Sequence, residues 1–109
     1  MTNSETIQNF ASVLAARFHP DKIILFGSHA RDQAYAGSDV DLLVVLDHNT
    51  RNVEKAIEIL DELNPRFALD LLVRKPADIT RRIEMNDLFI REIVEQGKIL
   101  YEASNTRMG

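Results

Sequence analysis

The chain has no cysteine. That excludes disulfides and thiolate metal sites and fits a cytoplasmic protein. No apolar run approaches the length of a membrane span. The stretch Met1 to Gln8 is polar and lacks the basic start and apolar core of a signal peptide, so no membrane attachment is expected. A basic excess is also missing. Lys and Arg number 13 against 17 Asp and Glu, for a formal net charge of −4. Such a surface offers no broad cationic platform for direct nucleic-acid binding. An acidic protein can still bind a nucleotide when metal ions carry the neutralising charge. No Gly-x-x-x-x-Gly-Lys run and no His-x-x-x-His pair occurs, which rules out a P-loop and that zinc pattern. No serine–histidine–acid arrangement, internal repeat or low-complexity segment stands out.

The length of 109 residues suits one domain with one core. We expect that domain over 1–102 and a flexible tail over 103–109. Ile7, Phe10, Ala11, Leu14, Ala15 and Phe18 recur at helical spacing. Thr2 and Glu5 fit a capping box at the start of that helix, and His19-Pro20 ends it. Ile23 to Phe26 reads as a strand buried on both faces, followed by the Gly27-Ser28 break and a short helix through Ala30 and Arg31. Val40, Leu42, Val44 and Leu46 alternate along a second strand. Val53, Ala56, Ile57, Leu60 and Leu63 mark a second helix, stopped at Asn64-Pro65. Phe67 to Val73 is a third strand. Pro76 suits the first turn of a helix carrying Ile79 and Ile83. Asn86 restarts a helix with Phe89, Ile90, Ile93 and Val94, which Gly97 closes. Ile99 to Tyr101 adds a terminal strand. The order predicts an α/β domain with a small mixed β-sheet and helices packed on one face.

Three features carry chemistry. Asp39 and Asp41 stand two apart at a strand start, so both point one way, with Cα atoms roughly 6.5 Å apart. Two carboxylates so close call for a positive charge between them, and a hard divalent cation such as magnesium suits carboxylate oxygens with substrate phosphates. The plain alternative is two solvated acids at a loop edge. Asp70 lies between Leu69 and Leu71 in an apolar strand, where an unpaired buried acid is costly. It pairs with Arg66 or Arg74, or it joins the other two as a third metal ligand. Gly27-Ser28 follows a buried strand, where backbone N–H groups can hold phosphate oxygens, and Arg31 can pair with a phosphate in bidentate fashion. His29 reads as exposed and replaceable.

Gly27-Ser28-His29-Ala30-Arg31, then Ser38-Asp39-Val40-Asp41-Leu42, then Asp70, resemble the DNA polymerase β-like nucleotidyltransferases, in particular their minimal, antitoxin-type members. The resemblance runs from about Ile7 to Tyr101. It implies a catalytic palm in which Asp39, Asp41 and Asp70 are catalytic residues and ligands of two Mg2+ ions. It also implies that Gly27, Ser28, Arg31 and Ser38 bind the nucleotide, with ATP as substrate. By the same resemblance the partner is a HEPN-domain ribonuclease toxin in a type VII toxin–antitoxin pair, modified by AMP on a tyrosine and able to form a hetero-oligomer with this chain. Two rival readings are a binding-only antitoxin that masks the toxin and a nucleotidyltransferase acting on a small molecule such as an aminoglycoside. Asp32 departs from the pattern. Relatives commonly carry glycine there, and an acid near the phosphates would weaken nucleotide binding unless it points away.

Overall fold

The computed structural model describes residues 2–35 and 37–103, so the expected tail falls almost wholly outside the described residues. The elements are α1 (Ser4–Phe18), β1 (Lys22–Phe26), β2 (Val40–Val45), α2 (Asn52–Leu63), β3 (Leu69–Arg74), α3 (Pro76–Glu84), α4 (Leu88–Gln96) and β4 (Lys98–Glu102). The strands form one mixed sheet in the order β3-β2-β1-β4. β1 runs antiparallel to β2 and β4, while β2 and β3 are parallel.

Local chemistry sets the helix ends. Asn3, rather than Thr2, caps α1: its Oδ1 accepts a hydrogen bond from the Thr6 N–H at 2.8 Å, the strongest kind of cap for an orphan donor. His19 and Asn64 end α1 and α2 in left-handed geometry, with φ of 54° and 45°. Pro76 opens α3 as the sequence predicts. On α2 the inward stripe is narrower than expected. Ala56 and Ile59 are buried and Leu63 packs beside them, whereas Val53 and Ile57 are each 55% exposed. The i, i+3, i+7 set can face one core, and the flanking apolar residues then turn outward.

One core joins α1 and α2 to a sheet face through Ile7, Leu14, Ile23, Leu42, Ile59 and Val73. A second, smaller cluster lies on the opposite face, where Ile93 of α4 and Ile79 of α3 pack on Ile24, Leu43, Val45 and Leu72. Helices therefore flank both faces, and the expectation of one covered face holds only for α1 and α2. The reason is visible in the strands. β1 and β2 are the central pair and apolar on both sides, so each side needs cover. Because α3 and α4 have only 9 residues each, their cover is partial and leaves one end of the second face open.

Candidate active site

The acids meet at that open end. Phe26 pairs with Asp41 across β1 and β2, and Asp41 pairs with Asp70 across β2 and β3. The three residues form a row over adjacent strands, on the face that carries Leu43 and Leu72. Strand spacing places the Asp41 and Asp70 Cα atoms about 5 Å apart. Asp39 stands immediately before β2. Asp41 is half-buried, while Asp39 and Asp70 are exposed. The prediction that Asp70 is buried fails, because β3 is an edge strand and this end of the face has no helix over it. Asp70 pairs with neither Arg66 nor Arg74 among the described residues; the Arg74 guanidinium donates to the Val73 carbonyl at 2.8 Å.

Electrostatics bind the features together. Burial raises the Asp41 pKa above the usual carboxylate value, and the Asp70 and Asp39 charges raise it further. His29 and Arg31 act in the opposite direction. Gly27 lies directly against this acid, since a Cβ built on Gly27 would overlap the Asp41 carboxylate. Its φ of 77° also belongs to glycine. The close approach keeps the turn and the carboxylates in one site. An all-oxygen set of mutually repelling acids fits the donor chemistry of magnesium. Among the described residues no group of three or more His, Asp or Glu side chains is placed to hold a metal ion.

The segment after Gly27 is a set of hydrogen-bonded turns, not the expected short helix. The Gly27 carbonyl accepts from the Ala30 and Arg31 N–H groups, and the Ser28 carbonyl accepts from the Gln33 N–H at 2.8 Å. Asp32, at φ 56°, reverses the chain after a single turn. Glycine suits that left-handed position best, and aspartate tolerates it better than most residues. Asp32 lines a separate depression with His29 and Lys98, on the α1 side of the sheet. His29 is only 9% exposed, which corrects its reading as a surface residue. Its Nε2 lies 3.5 Å from the Ser38 carbonyl oxygen, linking the turn to the loop that carries the acids. The Ser38 Oγ accepts from the Tyr35 N–H at 2.9 Å and so closes that loop.

Beside the acids, between the Gly27 turn and α4, lies a cleft of 210 Å³. Phe26, Arg31, Phe89, Glu92 and Gln96 line it. Sequence reasoning placed Phe89 in the inward stripe of α4 and assigned no role to Glu92 or Gln96. Phe89 is 52% exposed, and its ring meets that of Phe26 edge to face at 5.9 Å between centroids. Only the packing of α4 on β1 brings these side chains to the same cleft as the Gly27 turn.

Comparison with known proteins agrees with this geometry. The family model described as Polymerase beta, Nucleotidyltransferase matches residues 8–106. A protein of Methanocaldococcus jannaschii, provisionally named a protein adenylyltransferase, is 27% identical over 103 residues, covering 93% of this chain and 100% of its own length. A crystal structure from Sulfolobus solfataricus, provisionally named a nucleotidyltransferase, superposes with a TM-score of 0.64 at 18% identity, covering 93% of this chain and 81% of that one. The crystal structure of a toxin–antitoxin with AMP-PNP gives a TM-score of 0.59 at 22% identity, covering 89% and 74% of the two chains.

Proposed function

The chain belongs to the polymerase β nucleotidyltransferase family, and from that premise we propose that it moves AMP from ATP onto a protein hydroxyl as the antitoxin of a toxin–antitoxin pair. The observation that carries this reading is the Asp41–Asp70 row beside the Gly27 turn. The relative named as a protein adenylyltransferase supports a protein acceptor, since it matches over its full length. The toxin–antitoxin neighbour with AMP-PNP supports the partner and the adenine nucleotide. Within this reading the partner is a HEPN-domain ribonuclease toxin and the acceptor a tyrosine.

Asp39, Asp41 and Asp70 would hold two magnesium ions, which when bound neutralise the triphosphate and lower the pKa of the acceptor hydroxyl. The Gly27-Ser28 turn presents backbone N–H groups to the phosphates. Arg31 adds positive charge on the same side. Asp70, at the far end of the row from the turn, faces the incoming hydroxyl and takes up its proton. The hydroxyl oxygen bonds to the α-phosphorus, the bond from that phosphorus to the bridging oxygen breaks, and pyrophosphate leaves. Most of the catalysis is then positioning and charge stabilisation.

The test is the intact mass of the partner toxin after incubation with this protein and magnesium-ATP. We expect a gain of whole AMP units. An Asp39→Asn, Asp41→Asn double variant should give none while keeping its fold by circular dichroism. Equal transfer by that variant would remove the assignment. A stable complex without any mass change, with toxin neutralised by both proteins, would establish a binding-only antitoxin instead.

A further inference from the structure

We propose that the outer edge of β3 receives the acceptor protein, a segment of which adds to the sheet as a further strand and brings its hydroxyl residue level with Asp70. This deepens the nucleotidyltransferase reading above and rests on it. Hydrogen bonds at the two ends of β3 fix which backbone groups face outward. The Ala68 carbonyl accepts from the Val40 N–H at 2.9 Å, and the Arg74 carbonyl accepts from the Leu46 N–H at 2.9 Å. Backbone groups alternate sides along a strand, so Ala68, Asp70, Leu72 and Arg74 turn theirs toward β2. Leu69, Leu71 and Val73 turn their N–H and C=O groups away from it. β3 ends the sheet, so among the described residues no strand meets them.

This edge is closed at one end and open at the other. The Val73 carbonyl accepts from the Arg74 guanidinium at 2.8 Å. Among the described residues no such bond reaches the outward groups of Leu69 and Leu71, and these two flank the exposed Asp70. The opposite edge of the sheet is guarded. In β4 the register shifts opposite Ile23 and Ile24, and the Gln8 amide donates to the Leu100 carbonyl at 3.1 Å. A bulge and an occupied carbonyl both block strand addition. β3 runs in unbroken register past Asp70 and carries neither guard there. Alternating free N–H and C=O groups complement the backbone of another extended chain. A strand added to them lies about 4.8 Å from β3 and sends every second side chain to the Asp70 face. The residue level with Asp70 then stands beside its carboxylate as a cross-strand neighbour. Main-chain bonds thus place the hydroxyl, and they ask for an extended stretch in the acceptor more than for a particular flanking sequence.

Amide hydrogen exchange of the isotope-labelled chain, read by NMR with and without the toxin of the mass assay, tests the edge. Magnesium and α,β-methylene-ATP are present, because that analogue cannot release pyrophosphate and holds the complex before transfer. The Leu69 and Leu71 N–H groups should exchange about ten-fold more slowly once toxin is added, the scale of one backbone hydrogen bond, and those of β4 at unchanged rates. Kinetics give a second measure. Leu69→Pro removes one outward N–H at a strand start that accepts proline, and Leu69→Ala loses similar packing but keeps the N–H. The proline variant should show a KM for toxin about ten-fold above that of the alanine variant, with kcat and magnesium-ATP affinity alike in the two. Unslowed exchange at Leu69 and Leu71 in a chain that modifies the toxin would overturn the proposal. So would slowing confined to β4, slowing that follows chain concentration without toxin, which would make a second copy the occupant, or a lower kcat at unaltered KM, which would mean that proline only displaced Asp70. Wild-type protein that transfers no AMP to the toxin would instead overturn the nucleotidyltransferase reading on which the edge depends.

Discussion

Asp41 is where function and stability oppose each other. Its pKa is raised by burial and by Asp70 and Asp39, so the folded chain holds this proton more tightly than the unfolded chain does. Between the ordinary carboxylate value and the raised one, the native state binds more protons, and stability falls as pH rises. Above that window the ionised acid is a standing cost to the apo protein. Asp41→Asn should therefore melt a few degrees higher at neutral pH, a gain under about 1 kcal/mol because solvent screens the site. The advantage should shrink as pH falls through the mildly acidic range. Thermal melts across pH check this, and a variant less stable than wild type at neutral pH would contradict it. Gly27 is the second sensitive residue. Alanine there must adopt a φ of 77° and displace the Asp41 carboxylate. We expect a stability loss of about 1–2 kcal/mol from the backbone and about 100-fold lower transfer from misplaced groups, read by denaturant melts and by the mass assay.

At the scale of elements, the join of α4 to β4 decides whether the cleft exists. Gly97 closes α4 as the sequence predicts, with φ −71°, outside the left-handed region. Glycine is needed because a Cβ would collide with the Ile93 carbonyl and with Ile24 of β1. Gly97→Ala should cost about 1–3 kcal/mol by overpacking and weaken ATP as α4 shifts from β1. Denaturation midpoints and ATP affinity measure the two effects together. Unchanged values in both would show that the contact yields easily. Asn3 gives a contrasting case at the far end of α1. Asn3→Ala should cost about 1 kcal/mol through the lost cap and leave ATP affinity alone. The α1 stripe and the Pro76 start were readable from spacing, because helix period and proline geometry are local. The Asn3 cap over Thr2 was not, since both side chains are competent and the chain entry chooses between them.

For the whole molecule, ligand binding and folding share one free-energy balance. A domain of this size carries a net stability of only about 5–15 kcal/mol. Magnesium-ATP at about 100-fold above its Kd should add about 2.7 kcal/mol, a rise of roughly 10 °C in Tm. The Asp39→Asn, Asp41→Asn protein should lose most of that rise. An equal rise in both proteins would place the nucleotide elsewhere. No helix among the described residues is long and apolar enough to cross a membrane, and the acidic balance of the chain makes bound cations a natural part of any phosphate chemistry.

The sequence by itself determined the alternating strands, the α1 stripe and the spacing of Asp39 from Asp41, because side-chain period follows from local backbone geometry. It also pointed to the family through the Gly27-Ser28 and Asp39-to-Asp41 pattern. Tertiary structure alone decided that β3 lies beside β2, in a register that sets Asp70 level with Asp41. It also decided that Asp70 is exposed, that His29 is buried, and that α3 and α4 cover the second sheet face. The cleft of Phe26, Phe89, Glu92 and Gln96 belongs to the same class. Phe26 lies more than sixty positions before Phe89, Glu92 and Gln96 in the chain, and strand order and helix packing, which no local pattern encodes, bring them onto one cleft.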